Sequence, residues 1–171
     1  MNKRTRKLIL TAIAVLAFLT IAFIFSNSLK DSTESSEQSL AFKRMLLDIV
    51  RIFGFRGDIN VAWLRNAAHV TEFAMLGTCL SALSIYFARQ KGKPTFLRYL
   101  SFVGLSIFGC LVVAVADELI QLTSAGRASD VKDVLLDLSG AVIGAVVAAI
   151  VYFLFLKIYY MLQKNKFRKN T

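Results

Sequence analysis

Four stretches of this chain carry no charged side chain: residues 8–29, 73–88, 99–116 and 138–156, which are 22, 16, 18 and 19 residues long. A helix rises 1.5 Å per residue and needs about 20 apolar residues to cross a ~30 Å hydrocarbon core. Each run, extended by its polar-ended flanks, therefore reads as a membrane span. The spans fall at about 8–26, 63–88, 97–121 and 134–160. The expected fold class is all-α, a polytopic membrane protein forming a four-transmembrane-helix bundle, with residues 1–171 as one membrane domain. Composition agrees, since 56% of residues are apolar without counting glycine and 19% are charged. A net charge of +10 beside a mean hydropathy of +0.59 argues against nucleic acid as a partner. Two cysteines are too few for a disulfide-stapled scaffold.

The first run follows Lys3, Arg4, Arg6 and Lys7, but it exceeds a signal-peptide core and closes on no small-x-small site. An uncleaved anchor is the better reading. Basic residues without acids also gather between spans two and three (Arg89, Lys91, Lys93, Arg98, with Pro94 in the turn) and after span four (Lys157, Lys164, Lys166, Arg168, Lys169). The positive-inside rule puts all three clusters in the cytoplasm, so a multi-pass protein of the cell membrane with both termini cytoplasmic is expected. Thirteen of the 21 basic residues then lie inside, and eight share the outer side with all eleven acids, for +13 inside and −3 outside.

The outer loop 27–62 opens serine-rich and then becomes periodic. Phe42, Met45, Leu46, Ile49, Val50 and Phe53 recur at helical spacing, with Lys43, Arg44, Asp48 and Arg51 opposite. This predicts an amphipathic helix at about 40–53 with Ser39 as N-cap, ended by Gly54 and Gly57, and lying on the outer leaflet or over neighbouring protein.

Ionisable groups beside membrane spans are costly, so each calls for a partner or a function. Glu72 lies 17 residues from Arg89, Asp117 lies 19 from Arg98 and Asp137 lies 20 from Lys157. At 1.5 Å each these are depths of about 26, 28 and 30 Å, so three helices deliver carboxylates to one level. Arg65, His69 and Glu72 share one helical stripe at i, i+4 and i+7, and Asp117 and Gln121 stand at i, i+4 with Glu118 beside them. Beyond Arg127, Asp133 and Asp137 begin span four, where a helix N-terminus also favours carboxylates. Gly140, Gly144 and Ala148 continue as a small-residue face suited to close helix approach. Plainer roles compete for several of these: helix-start acids for Asp133 and Asp137, an interfacial anchor for Arg65, a solvated rim for Glu118, a packing role for His69. Cys79 and Cys110 read as packing residues, because no metal-ligand spacing surrounds them. Tyr152, Phe153, Phe155, Tyr159 and Tyr160 read as an interfacial aromatic belt.

Three segments carry a family resemblance: Arg65-x3-His69-x2-Glu72-x3-Leu76-Gly77, Asp117-Glu118-x2-Gln121, and Arg127-x5-Asp133-x6-Gly140-x3-Gly144. A weaker fourth is Phe25-Ser26-Asn27-Ser28. With these the chain resembles the VanZ-like family of small bacterial membrane proteins. The resemblance implies a compact helical protein whose polar motifs face outward, and an association with resistance to teicoplanin, a lipid-tailed glycopeptide antibiotic. Two departures stand out. Asp137 replaces an asparagine common in the family, and Asn27-Ser28 stands where a Ser-Gln-like ending is usual, so no role of that glutamine carries over.

Two classes of function follow. In the first, Arg65 and Arg127 hold a phosphate or carboxylate headgroup while His69, Glu72, Asp117, Glu118, Gln121, Asp133 and Asp137 complete a ligand site. Its partners would be membrane lipids, lipid-linked cell-wall precursors or lipoglycopeptides. In the second, the chain is a hydrolase or transferase on lipid headgroups, with His69, Glu72 and Asp117 as candidate catalytic residues. A divalent ion on Asp117, Glu118 and Asp133 belongs to that second class, although no cofactor is assigned and no spacing singles out a metal set. A scaffold of mutually paired charges, or a transporter, completes the alternatives.

Overall fold

The computed structural model describes residues 2–90 and 95–168, with side chains through Leu162. Five helices account for nearly all of them: α1 (Lys3–Ser28), α2 (Ser32–Ile52), α3 (Val61–Gln90), α4 (Phe96–Gln121) and α5 (Val131–Arg168). All except α2 are long and apolar enough to cross a membrane. Each begins on a side chain that accepts from its exposed first-turn amides. Asn2 takes the Arg4 amide, Asp31 those of Thr33 and Glu34, Asn60 that of Ala62, Thr95 that of Arg98, and Asp130 that of Lys132.

The helix α2 starts earlier than its apolar periodicity suggests. Asp31, not Ser39, is its N-cap, and Ser39 instead donates to the Ser35 carbonyl one turn back at 2.9 Å inside the helix. Serine-rich sequence reads as loop because its hydroxyl competes for backbone groups, but here Asp31 settles the start and the hydroxyls bond back along the helix. Gly54, at φ 87°, turns the chain away after Ile52 as expected. The apolar stripe of α2 stays open, with Met45 51% and Phe53 85% exposed, and Leu47 is its one buried residue.

The helix α3 touches each of the other four. Phe73, Leu76 and Cys79 form the centre of the core with Ile24 of α1, Cys110 and Ala114 of α4, and Ala141 of α5. The contact of α3 with α5 is backbone against backbone. A Cβ on Gly77 would lie 2.5 Å from the Ala141 carbonyl oxygen, one on Gly140 would overlap the Val70 carbonyl, and one on Gly144 would overlap that of Ala74. The small-residue face of span four is thus the seam of the bundle, and the Thr78 hydroxyl reaches the Gly144 carbonyl across it at 3.1 Å. Cys79 and Cys110 are buried free thiols within the core, as packing residues would be. Side chains facing away from the bundle, among them Phe18, Phe108, Val112 and Ile150, are apolar and more than half exposed, a surface fit for lipid.

The two ends differ in chemistry. At one end Arg6 sits over the Tyr86 ring, 5.8 Å from its centre, Arg89 donates to Tyr152, and Tyr152 meets Tyr99 hydroxyl to hydroxyl at 3.0 Å. The acids and their partners collect at the other. Lys91, Lys93, Pro94 and Lys169 lie outside the described residues, as do the side chains of Lys164, Lys166 and Arg168.

Candidate functional site

At the acidic end, a cavity of about 500 Å³ opens between α1, α2 and α3. Its lining is mixed: Phe23, Ile24, Phe42, Met45 and Leu64 are apolar, whereas Asn27, Ser35, Gln38, Arg65, His69, Glu72, Asp117 and Arg127 are polar or charged. The stripe Arg65–His69–Glu72 therefore reaches the cavity from α3, as its i, i+4, i+7 spacing requires. Asp117 comes from the last turn of α4, and Arg127 from the loop that follows.

A chain of hydrogen bonds joins several of these polar residues. Gln121 donates to Asp117 Oδ2 at 2.8 Å, and Arg127 Nη2 donates to Gln121 Oε1 at 2.9 Å. The Ser28 hydroxyl donates to Asp117 Oδ1 in a short contact. Arg127 Nη1 donates to the Asn27 carbonyl at 3.1 Å, and the Asn27 amide donates to Glu72 Oε1 at 3.3 Å. Asp117 and Gln121 are both buried, so these bonds fix the carboxylate in one orientation. From α5, Asp137 Oδ1 meets His69 Nδ1 at 3.1 Å. Asp137 is fully buried, and its Oδ2 has no hydrogen-bond partner among the described residues.

Two of the expected residues stand apart. Glu118 is buried, but its Oε2 accepts from the Asp130 amide at 3.0 Å, so it ties the end of α4 to the start of α5 rather than lining the cavity. Asp133 lines a second, smaller cavity with Arg65, Asn66 and Ser39. The grouping of Asp117, Glu118 and Asp133 as metal ligands is accordingly not what the fold assembles. Among the described residues the side chains able to share an ion are His69, Asp117 and Asp137, whose ligating atoms lie within 4.8 Å of one another. These come from three helices, so no local spacing marks them.

Asn27 and Ser28 are site residues that the charge pattern misses, since neither ionises and both sit where a span is expected to end. Their signal in the sequence was the Phe25-Ser26-Asn27-Ser28 segment, the weakest of the four motifs. Lys30 joins them, donating to Asn27 Oδ1 at 2.9 Å.

Arg127 lies outside the spans, and burial lowers the pKa of its guanidinium, followed by the charge of Arg65; Asp117, Glu118 and Asp133 act in the opposite sense. Its Nε is buried and unpartnered among the described residues, and Arg65 forms no ion pair among them. Arg65 and Arg127 thus line one cavity together with Glu72 and Asp117, and Arg127 keeps an unused donor. No curated protein and no solved structure compared with the chain gave a match. The VanZ/LLP1 family model matches residues 9–157, and the chain, an all-helical protein with four apolar spans, belongs to that family.

Proposed function

We propose that this protein lies in the bacterial cell membrane with both termini cytoplasmic, and binds a lipid-tailed or lipid-linked ligand at the outer leaflet. The observation that carries the reading is a cavity lined by both apolar and cationic side chains. An acyl or prenyl tail fits along Phe23, Ile24, Phe42, Met45 and Leu64, and a phosphate or carboxylate head meets Arg65 and Arg127. The gathering of Arg6, Arg89 and the tyrosines at the opposite end supports the orientation, since that end then meets the cytoplasm. Lipid-linked wall precursors and lipoglycopeptides both combine such a tail with such a head, which relates the site to teicoplanin-type resistance.

The test is binding of teicoplanin, and separately of a polyprenyl-diphosphate-linked wall precursor, to the full chain in lipid nanodiscs. Arg127→Ala is expected to weaken binding of at least one of them tenfold, about 1.4 kcal/mol, whereas a glycopeptide without a lipid tail should bind neither form well. Equal affinity in wild type and Arg127→Ala would remove the arginine from the site.

A second reading, a membrane hydrolase or transferase, draws on one specific contact. A carboxylate on His69 Nδ1 is how an imidazole is held for proton transfer from its other nitrogen, and Asp137 stands there. Turnover of lipid headgroups by the purified protein that His69→Ala abolishes would favour it. Turnover that survives the substitution would exclude His69 as the base.

A further inference from the structure

We infer that His69, Asp117 and Asp137 form a binding site for one divalent transition cation of the zinc or manganese class, at the edge of the cavity that His69 and Asp117 line. Each ligand comes from a different helix, α3, α4 and α5, and the three ligating atoms already lie within 4.8 Å of one another. Ions of this class bind nitrogen and oxygen at about 2.0–2.2 Å, which places neighbouring ligand atoms roughly 3.0–3.5 Å apart. The His69 Nδ1 to Asp137 Oδ1 distance of 3.1 Å is already such an edge. Asp117 needs a movement of the order of 1 Å to complete the set.

A second, independent observation points to a cation. Asp137 is fully buried and its Oδ2 has no donor among the described residues, although an ionised carboxylate has about four lone-pair sites to satisfy. Such an oxygen has given up its hydration with nothing in return, and no Lys or Arg reaches Asp137 among the described residues. An ion held by both Asp137 oxygens, Oδ1 beside His69 Nδ1 together with the orphaned Oδ2, gives that oxygen a partner. Asp117 is also held as a metal ligand needs to be: Ser28 and Gln121 each donate to one of its two oxygens, and each oxygen keeps a further lone pair. One imidazole nitrogen with two carboxylates favours zinc or manganese over magnesium or calcium, which take all-oxygen sets. His69 must offer an unprotonated nitrogen, so any proton on the ligating nitrogen leaves to solvent on binding. Because His69 and Asp117 also line the cavity, the ion presents its open positions beside Arg65 and Arg127. The inference deepens the ligand-site reading in that respect, but it is tested with the ion alone, so either can fail without the other.

The chain contains a single histidine, which makes the test specific. Full-length protein purified without a histidine tag is stripped with chelator and titrated with Mn²⁺, following loss of the free-ion electron paramagnetic resonance signal. One ion per chain is expected, competed by Zn²⁺, and pulsed measurements should show coupling of the bound ion to an imidazole nitrogen. That coupling assigns the site without any substitution. Asp137→Asn and Asp117→Asn, checked for folding by helicity and elution volume, should bind at least tenfold more weakly, while Asp58→Asn, an exposed carboxylate, should bind as wild type. Absence of stoichiometric binding, a bound ion with no nitrogen coupling, or undiminished affinity in folded Asp137→Asn would each overturn the inference.

Discussion

Replacing Gly140 by alanine adds one methyl group at the seam between α3 and α5, one turn from Asp137. That methyl would overlap the Val70 carbonyl oxygen and stand 3.1 Å from both the Val70 carbonyl carbon and Phe73 Cβ. Carbon contacts are comfortable near 3.5–4.0 Å, so the two helices must part by roughly 1 Å, since the atoms met are mostly backbone and cannot rotate away. Over-packing of this kind costs about 1–3 kcal/mol. A second effect is expected at the site, because Val70 adjoins His69. Parting the helices there takes the His69–Asp137 contact from 3.1 Å to about 4 Å, beyond hydrogen bonding. The assay is thermal unfolding of the purified protein in detergent, with Gly104→Ala as its counterpart. Gly104 is also a helix-interior glycine but has nothing within 4 Å of its added Cβ, so that change should be neutral or stabilise by about 0.5–1 kcal/mol. In a His69→Ala background the Gly140→Ala penalty should shrink, since the contact is already gone. Equal shifts for Gly140→Ala and Gly104→Ala would refute the reasoning.

Other expectations are more local. Asp31→Ala removes the acceptor of the Thr33 and Glu34 amides, and should cost the first turns of α2 about 1 kcal/mol, visible as faster hydrogen exchange there with α3 unaffected. Ser81→Ala breaks the 2.9 Å hydroxyl pair with Ser106 between α3 and α4, but Ser106 keeps its bond to the Val103 carbonyl, so unfolding should show a loss of only about 0.6 kcal/mol. The hydrogen bond from Lys43 holds the Asp58 carboxyl below the usual aspartate range, with smaller help from the Ile59 amide. A depressed folded value means that the contact stabilises above the ordinary aspartate pKa and is lost as pH falls through the lowered one. Carbon-13 titration should place the Asp58 midpoint low in wild type and higher in Lys43→Ala; an unchanged midpoint would show that the pair does not set it.

What the sequence discloses, and what it withholds, follows from how local each interaction is. The four apolar helices are legible because a charge-free run answers to the bilayer alone, whatever packs beside it. Gln121 and Asp117 are legible as partners because they stand one turn apart on one helix, and the structure joins them. The level shared by Glu72, Asp117 and Asp137 is legible from counting residues to the opposite charges, and the helices do bring His69, Asp117 and Asp137 together. The pairing of Asp137 with His69 is not, because it depends on how α5 is turned against α3, where Gly77, Gly140 and Gly144 bring the two backbones together. Asn27 and Ser28 escape notice for another reason. Uncharged polar residues at a span end look like ordinary interface until an arginine a hundred positions away is seen to bond there.

The two polar ends of the bundle also make it a gauge of membrane thickness. Glu72 and Arg89 belong to one unbroken helix and stand 17 residues apart, about 26 Å along its axis. With the roughly 28 and 30 Å counted on the other two helices, that matches a hydrocarbon layer of ordinary thickness or slightly less and falls short of a thick, sterol-rich one. In lipids with longer acyl chains, the bilayer must thin around the protein or hydrocarbon must close over the mouth beside Glu72. Occupancy of the cavity should therefore vary with the acyl-chain length of the surrounding lipid, even when every residue of the site is unchanged.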